Sequence, residues 1–186
     1  MDADDHFAPL PPELRARSRS LGAILYPGEG EARGVGITQG YWNRETETRA
    51  AFRDGWLRSG DMGFLDEDGC LFIVDRLKDM IVSGGENIYS AGVENALARH
   101  PAVASCAVIG VPSERWGEQV HAVVVLRPGA ETGVEALRDH CRAYITGYKC
   151  PVSVEFREAL PLSAAGKLLK HVLRAPCWEG RDRNVG

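Results

Sequence analysis

Residues 103–126, VASCAVIGVPSERWGEQVHAVVVL, hold two apolar runs rich in β-branched residues, Val103–Val111 and Val120–Leu126, separated by a loop carrying Pro112 and Gly117. β-Branched side chains have restricted χ1 angles and pack well on a pleated surface, so each run predicts a strand. Working back towards the N-terminus, Ser90 is placed to cap a helix reaching His100. Val93 and Leu97 lie on one face of it, and Pro101 stops it. Met80–Val82 reads as a short strand followed by a flexible Gly84-Gly85 turn. Towards the C-terminus, Thr132 and Glu135 have capping-box spacing, and Val134, Leu137, Cys141 and Tyr144 give the next helix an apolar stripe. Val152–Phe156 alternates as a third strand. Lys167–Arg174 reads as an amphipathic helix with Leu168, Leu169, Val172 and Leu173 apolar, stopped by Pro176. The order over residues 77–175 is β-α-β-β-α-β-α. This is an α+β domain with a short three-stranded sheet covered by helices, and about 100 residues suffice for a core of its own.

Residues 36–76 have a different texture. Thr46–Phe52 reads as a short helix ended by Asp54-Gly55. Trp56-Leu57 and Phe64-Leu65 flank a Ser59-Gly60-Asp61 turn. Asp66-Glu67-Asp68-Gly69 is a hairpin-turn signal with Cys70–Val74 as its return strand. The segment is hairpin-rich, and a boundary falls near Asp75–Lys78, with residues 77–186 forming the second domain. Residues 1–35 carry no sustained period and read as a poorly defined N-terminal segment.

Composition narrows the function classes. A net charge of −4 over 186 residues and a pI near 5.8 argue against a dedicated nucleic-acid binder, which shows a basic face. The five cysteines include no CxxC pair and no zinc-finger spacing, and their odd number speaks against a disulfide framework; no metal site is expected. No apolar run approaches the ~20 residues of a membrane helix. The acidic, then basic N-terminus lacks the apolar stretch of a signal peptide. The expectation is a cytoplasmic protein with no transmembrane segment.

Three segments carry chemistry: GYWNRETETRAAFRDGWLRSGDMG (40–63), DRLKDMIVSGGENIYSAGVEN (75–95) and LPLSAAGKLLKHVLR (160–174). Taken alone, Asp61 reads as a turn cap, Arg76 as a surface partner of Asp75 or Asp79, Lys78 as a solvated lysine, and Gly84-Gly85 as a turn. In this order and spacing, however, the segments resemble the late motifs of acyl-CoA synthetases of the adenylate-forming, AMP-binding superfamily, closest to the fatty-acid and aryl-acid CoA ligase branch. The resemblance covers residues 36–174. It implies a small mobile C-terminal lid domain over 77–186, preceded by a hairpin-rich remnant of a large N-terminal domain over 36–76.

The resemblance also implies roles. Asp61, in a Ser-Gly-Asp motif, would accept hydrogen bonds from a nucleotide ribose diol, and Arg76 would lie beside ribose and phosphate. Lys78 would be the hinge. Ser83-Gly84-Gly85-Glu86-Asn87 would form the loop that enters the active site for thioester formation, with Gly84, Gly85 and Glu86 as ligand-binding positions. Here the chain departs from the family pattern: Ser90 stands where Pro is common and Gly92 where Glu is common. Trp116-Gly117-Glu118 and Tyr148-Lys149-Cys150-Pro151 match further landmarks. Lys167 would be the catalytic lysine. Joining a carboxylate to the α-phosphate of ATP brings two anions together, and an ammonium on a flexible stem can neutralise the charge that develops between them.

The implied reaction is ATP-dependent activation of a carboxylic acid, of the fatty-acid type, to an acyl-adenylate and then an acyl-CoA. It uses ATP/AMP, CoA and magnesium, with the magnesium ligands outside this chain. No Thr-Ser-Gly-Thr-Thr-Gly phosphate loop and no Tyr-Gly-x-Thr-Glu segment occur in the sequence. Activity would therefore need a large N-terminal domain in cis or in trans. The alternative reading is a non-catalytic lid or interaction module, or a truncated remnant of such an enzyme. The identity of the acid, the oligomeric state and the choice between CoA and a carrier protein as acceptor stay open at this level.

Overall fold

The computed structural model describes residues 23–24, 28–34, 36–65 and 70–181. The chain divides into two compact units, Met1–Leu77 and Lys78–Gly186.

The first unit contains β1 (Ala23–Ile24), β2 (Gly28–Ala32), α1 (Glu45–Ala51), β3 (Phe52–Arg53), β4 (Trp56–Leu65) and β5 (Leu71–Arg76). They form an antiparallel sheet of order β1-β2-β4-β3, with β5 also paired to β4. Asp54 and Gly55, at φ 50° and 80°, close the tight β3–β4 hairpin, the two-residue turn that an Asp-Gly pair favours. Phe64 and Phe72 stack across β4 and β5 with ring centroids 5.1 Å apart. The expected Asp66–Gly69 turn lies outside the described residues.

One expectation fails in this unit, and a segment that the sequence leaves undefined gains strands. Ser59-Gly60-Asp61 is not a turn, because β4 runs through it as a ten-residue strand. Between the pairs Glu29↔Met62 and Glu31↔Arg58, one residue of β2 faces three of β4, so the extra residues are absorbed as a bulge, with Gly60 at φ 73°. The 1–35 segment also contributes strands. Its β2 reads GEGEA, with no apolar alternation to announce it; pairing with β4 makes it a strand.

The second unit opens with a 3-10 turn at Leu77–Asp79, which straddles the unit boundary. It continues through β6 (Ile81–Ser83), β7 (Glu86–Ile88), α2 (Ser90–Ala98), β8 (Val103–Ser113), β9 (Gly117–Leu126), α3 (Val134–Arg142), β10 (Ser153–Phe156) and α4 (Lys170–Arg174). β8 lies antiparallel along the whole of β9. The other side of β9 takes β10, in parallel from His121 to Val124, and β6 at the single pair Ser83↔Gly117. β7 pairs with β6. The class is α+β as expected, but the sheet has five strands rather than three: the short strand expected at Met80–Val82 joins it as β6, and β7 adds a fifth. The three residues of β7, Glu-Asn-Ile, carry no readable alternation, and Gly84-Gly85 is the turn expected there, closed into a hairpin by β7.

Alternation along β8 and β9 divides the core. Val108, Val120, Ala122 and Val124 face Val93, Ala96 and Leu97 of α2 and Leu137 and Cys141 of α3. Ala107, Ile109, Val111 and Val123 face Leu173 of α4, with Leu160 and Leu168 alongside. The helices α2 and α4 therefore cover opposite faces of one sheet. Each fully buried Val, Leu or Ile contributes about 1.5–3 kcal/mol.

Helix starts differ from expectation. Ser90 is the first residue of α2, not its cap; Tyr89 takes that position. The Thr132–Glu135 box does not form, since Gly133 precedes α3 and supplies no side-chain cap. The last helix begins at Lys170 rather than Lys167, because the residues before it belong to a hairpin. Among the described residues, no helix is long and apolar enough to cross a membrane.

Candidate functional site

Lys167 stands on a short β-hairpin. Leu162 and Leu168 form an antiparallel bridge. Inside it, the Ser163 amide donates to the Lys167 carbonyl at 2.8 Å, and the Lys167 amide donates to Ser163 Oγ at 3.1 Å. The Gly166 amide closes the turn on the Ser163 carbonyl at 2.9 Å, with φ at 74°, a conformation that side chains with a Cβ resist. The backbone of Lys167 is thus held from both sides while its side chain is exposed. Its stem reaches into solvent from a fixed base, the arrangement needed to bring a point charge to a ligand.

The hairpin is tied to the domain through α4. Leu168 and Leu173 pack on one face of the sheet. Lys170 Nζ lies 2.8 Å from Glu94 Oε1 and donates to Ser90 Oγ at 2.7 Å, and both partners are on α2. Glu94 Oε1 also accepts the Val108 amide of β8 at 2.7 Å. Arg174 pairs with Asp79, next to Lys78 in the 3-10 turn; these side chains are 13% and 21% exposed. Sequence reasoning singled out none of Lys170, Glu94 and Arg174, and named Asp79 only as a possible partner of Arg76, whereas its partner is Arg174. Their partners are 76 to 95 residues away in the chain, at separations no local pattern encodes.

Gly84 and Gly85, at φ 61° and 87°, make the two-residue turn between β6 and β7, closed by the pair Ser83↔Glu86. The Gly84 amide donates to the Trp116 carbonyl at 2.9 Å. A Cβ on Gly84 would lie 2.9 Å from Trp116 Cε3, so the indole packs directly on this turn; Gly85 has open space around it. Arg115 lies over the Trp116 ring, 4.5 Å from its centroid. Glu118 is buried and accepts the Val82 amide at 3.3 Å. The Trp116-Gly117-Glu118 segment thus braces the base of the Gly84-Gly85 turn, with Glu86 exposed on its far side.

Asp61 and Arg76 belong to the first unit. They are cross-strand partners on β4 and β5, with Arg76 Nε 3.1 Å from Asp61 Oδ1. The Asp61 amide donates to Ser59 Oγ at 3.1 Å, and the Arg76 amide donates to Asp75 Oδ1 at 2.8 Å. The side chains are 30% and 70% exposed, so the pair presents an oriented carboxylate and guanidinium to solvent, a donor–acceptor set that fits a ribose diol and a phosphate. Within each unit the structure brings together Asp61 with Arg76 and Gly84 with Trp116. Lys167 and Lys78 stand on separate elements of the second unit, linked through α4, Arg174 and Asp79.

Four of the cysteines are held above the ordinary thiol range. Burial pushes Cys106 up to about 12, with Glu94 adding to the rise, and Cys141 up to about 11. Both thiols stay protonated at neutral pH. Burial also raises Cys150 and Cys177. His121 hydrogen-bonds Ser153 Oγ at 2.8 Å, and burial holds its pKa below the usual value against the opposing pull of Glu155. No group of three His, Cys, Asp or Glu side chains able to hold a metal occurs among the described residues.

Residues 92–167 match the AMP-binding enzyme C-terminal domain, and the matched segment ends on Lys167. The chain is 50% identical over 156 residues to a feruloyl-CoA synthase of Amycolatopsis sp, covering 82% of this chain and 32% of that protein. It is 47% identical over 159 residues to a long-chain-fatty-acid–CoA ligase of Bacillus subtilis, covering 84% and 28%. It superposes on the o-succinylbenzoate CoA synthetase of Bacillus subtilis, in complex with its acyl-adenylate intermediate, with a TM-score of 0.73 at 39% identity, covering 86% of this chain and 31% of that one. The chain therefore spans about a third of the length of the relatives it matches.

Proposed function

We propose, for a chain whose residues 92–167 match the AMP-binding enzyme C-terminal domain family, that it serves as the C-terminal portion of an ATP-dependent acid–CoA ligase. The observation that carries this reading is the Lys167 hairpin, a solvent-reaching ammonium on a doubly pinned backbone at the end of the matched segment. In the first half-reaction a carboxylate oxygen attacks the α-phosphorus of ATP and pyrophosphate leaves. Lys167 would balance the negative charge that grows between the two anions. In the second, the CoA sulfur attacks the acyl carbon and AMP leaves, with the Gly84-Gly85 turn lining the approach. Asp61 and Arg76 would hold ribose and phosphate, and Lys78 would be the pivot between the two arrangements. Magnesium would be held by residues of the large N-terminal domain. That domain would also supply the acyl pocket, in cis or in trans, and the dependence on ATP and CoA would place the reaction in the cytoplasm.

Catalysis of this kind is positioning plus electrostatics between two domains, so the 186-residue chain alone should give no ATP–pyrophosphate exchange with any carboxylic acid. Joined to the large N-terminal part of a relative such as the Amycolatopsis feruloyl-CoA synthase, it should restore exchange. In that enzyme Lys167→Ala should lower exchange by a factor on the order of 10²–10³, yet leave conversion of supplied acyl-adenylate to thioester near wild type. Equal loss of both half-reactions would refute the role given to Lys167.

A further inference from the structure

β8 pairs with β9 on one side, and among the described residues no strand pairs with its other edge. The Val108 amide on that edge is taken by the Glu94 side chain rather than by a strand. Since α2 and α4 cover opposite faces, a side chain that touches both must pass round this edge. Lys170 makes that passage. It leaves the first turn of α4 and ends between Ser90 Oγ at 2.7 Å and Glu94 Oε1 at 2.8 Å, with Ser90 fully buried and the Lys170 side chain 12% exposed.

We propose that Lys170 is a positioning residue that locks the Lys167 hairpin to α2, the helix that follows the Gly84-Gly85 turn. Lys167 lies three residues before Lys170, and the Leu169 amide binds the Pro161 carbonyl at 2.9 Å, so the anchor of α4 is also the base of the hairpin. The clamp makes the lysine of one half-reaction and the turn of the other parts of one rigid body. The hydroxyl of Ser90 is one jaw of the clamp. Glu94 is the other, and it is held in turn by Val108. Ammonium donors satisfied by an oxygen pair in a mostly buried site have a fixed direction, which a lysine at the surface lacks. The inference rests on the proposed role of Lys167 for its purpose, but its geometry stands apart from that role.

The test uses the full 186-residue chain and reads no activity. Nitrogen-15 NMR should show one slowly exchanging lysine ammonium, assigned to Lys170 by its loss in Lys170→Met. Amide exchange at Ser163, Gly166 and Lys167 should rise about ten-fold or more in Lys170→Met, while amides in the β4–β5 ladder stay unchanged. Lys170→Arg should bring the hairpin rates back towards wild type, since a guanidinium can still bridge the two oxygens. Ser90→Ala keeps the ion pair and removes one acceptor, so it should give a smaller rise; it also keeps the proposal testable should Lys170→Met unfold. Hairpin exchange that is unchanged in Ser90→Ala and in folded Lys170→Met overturns the clamp. So does the absence of a protected ammonium. Adenylation that survives Lys167→Ala in the joined enzyme, with the clamp signature intact, would instead refute the reading of Lys167.

Discussion

Gly84 and Gly85 are adjacent residues of one turn, yet an alanine at each should have unequal consequences. Backbone strain alone predicts near-equal costs, with Gly85 at least as sensitive, because its φ of 87° lies further from the left-handed region than the 61° of Gly84. Forcing a Cβ into that region costs about 1–2 kcal/mol at either position. Packing reverses the order. A Cβ on Gly85 meets nothing within 4 Å, whereas one on Gly84 lies 2.9 Å from Trp116 Cε3 and 3.3 Å from Cζ3. The indole is 47% exposed and can swing away, so the overlap is relieved by losing contacts rather than by bending the sheet. The main loss is the Arg115 contact at 4.5 Å, worth about 0.5–1 kcal/mol at an exposed site. Gly84→Ala should therefore destabilise by about 1.5–3 kcal/mol and Gly85→Ala by about 1–2 kcal/mol. Urea titration of the full chain, followed by circular dichroism, measures both. In a Trp116→Ala background the two costs should converge. Equal costs in the wild-type background, or a larger cost for Gly85→Ala, would refute the placement of Trp116 on the turn.

Arg174→Met should cost about 2–3 kcal/mol, because it leaves the Asp79 carboxylate without its partner at a site only 21% exposed. A double-mutant cycle with Asp79→Asn should recover most of that in the coupling. Stability should also depend on pH through His121. Its folded pKa lies below the ordinary 6.5 through burial, with Arg157 adding to the fall and Glu155 opposing it. As pH drops through 6.5 the unfolded chain takes up the proton first, so stability is full above that pH and falls below it. His121→Gln should flatten the fall in Tm on the acid side. A residue of it should remain from His100, which is lowered in the same direction by burial and by His140.

The parts of the fold visible in the sequence are those where local chemistry and tertiary context agree. β8 and β9 are the β-branched runs, and the α1 range of Glu45–Ala51 differs from the expected Thr46–Phe52 by one residue at each end. The turn at Asp54-Gly55 follows from the Asp-Gly pair itself. Misreadings fall where a neighbour supplies what the local sequence lacks. Ser59-Gly60-Asp61 has turn composition but lies in a strand paired on both sides. GEGEA has no strand pattern but is held by β4. Leu168 and Leu169 continue an amphipathic pattern into α4, yet Leu168 stands opposite Leu162 in the bridge and the Leu169 amide donates to the Pro161 carbonyl, so the helix starts late.

The same division holds for the site. The sequence alone determined which residues to consider: the Gly-Lys step at Lys167, the Gly84-Gly85 turn, and Asp61 with Arg76, because spacing and residue type are local properties that a motif records. Only the tertiary structure decided how Lys167 is held. The Lys170 clamp joins residues 80 and 76 positions apart, and the Arg174–Asp79 pair spans 95. Such contacts exist only once α2 and α4 have packed on opposite faces of one sheet and a long side chain can turn its β8 edge. A charge pair excluded from water depends on that packing, and no periodicity along the chain encodes it.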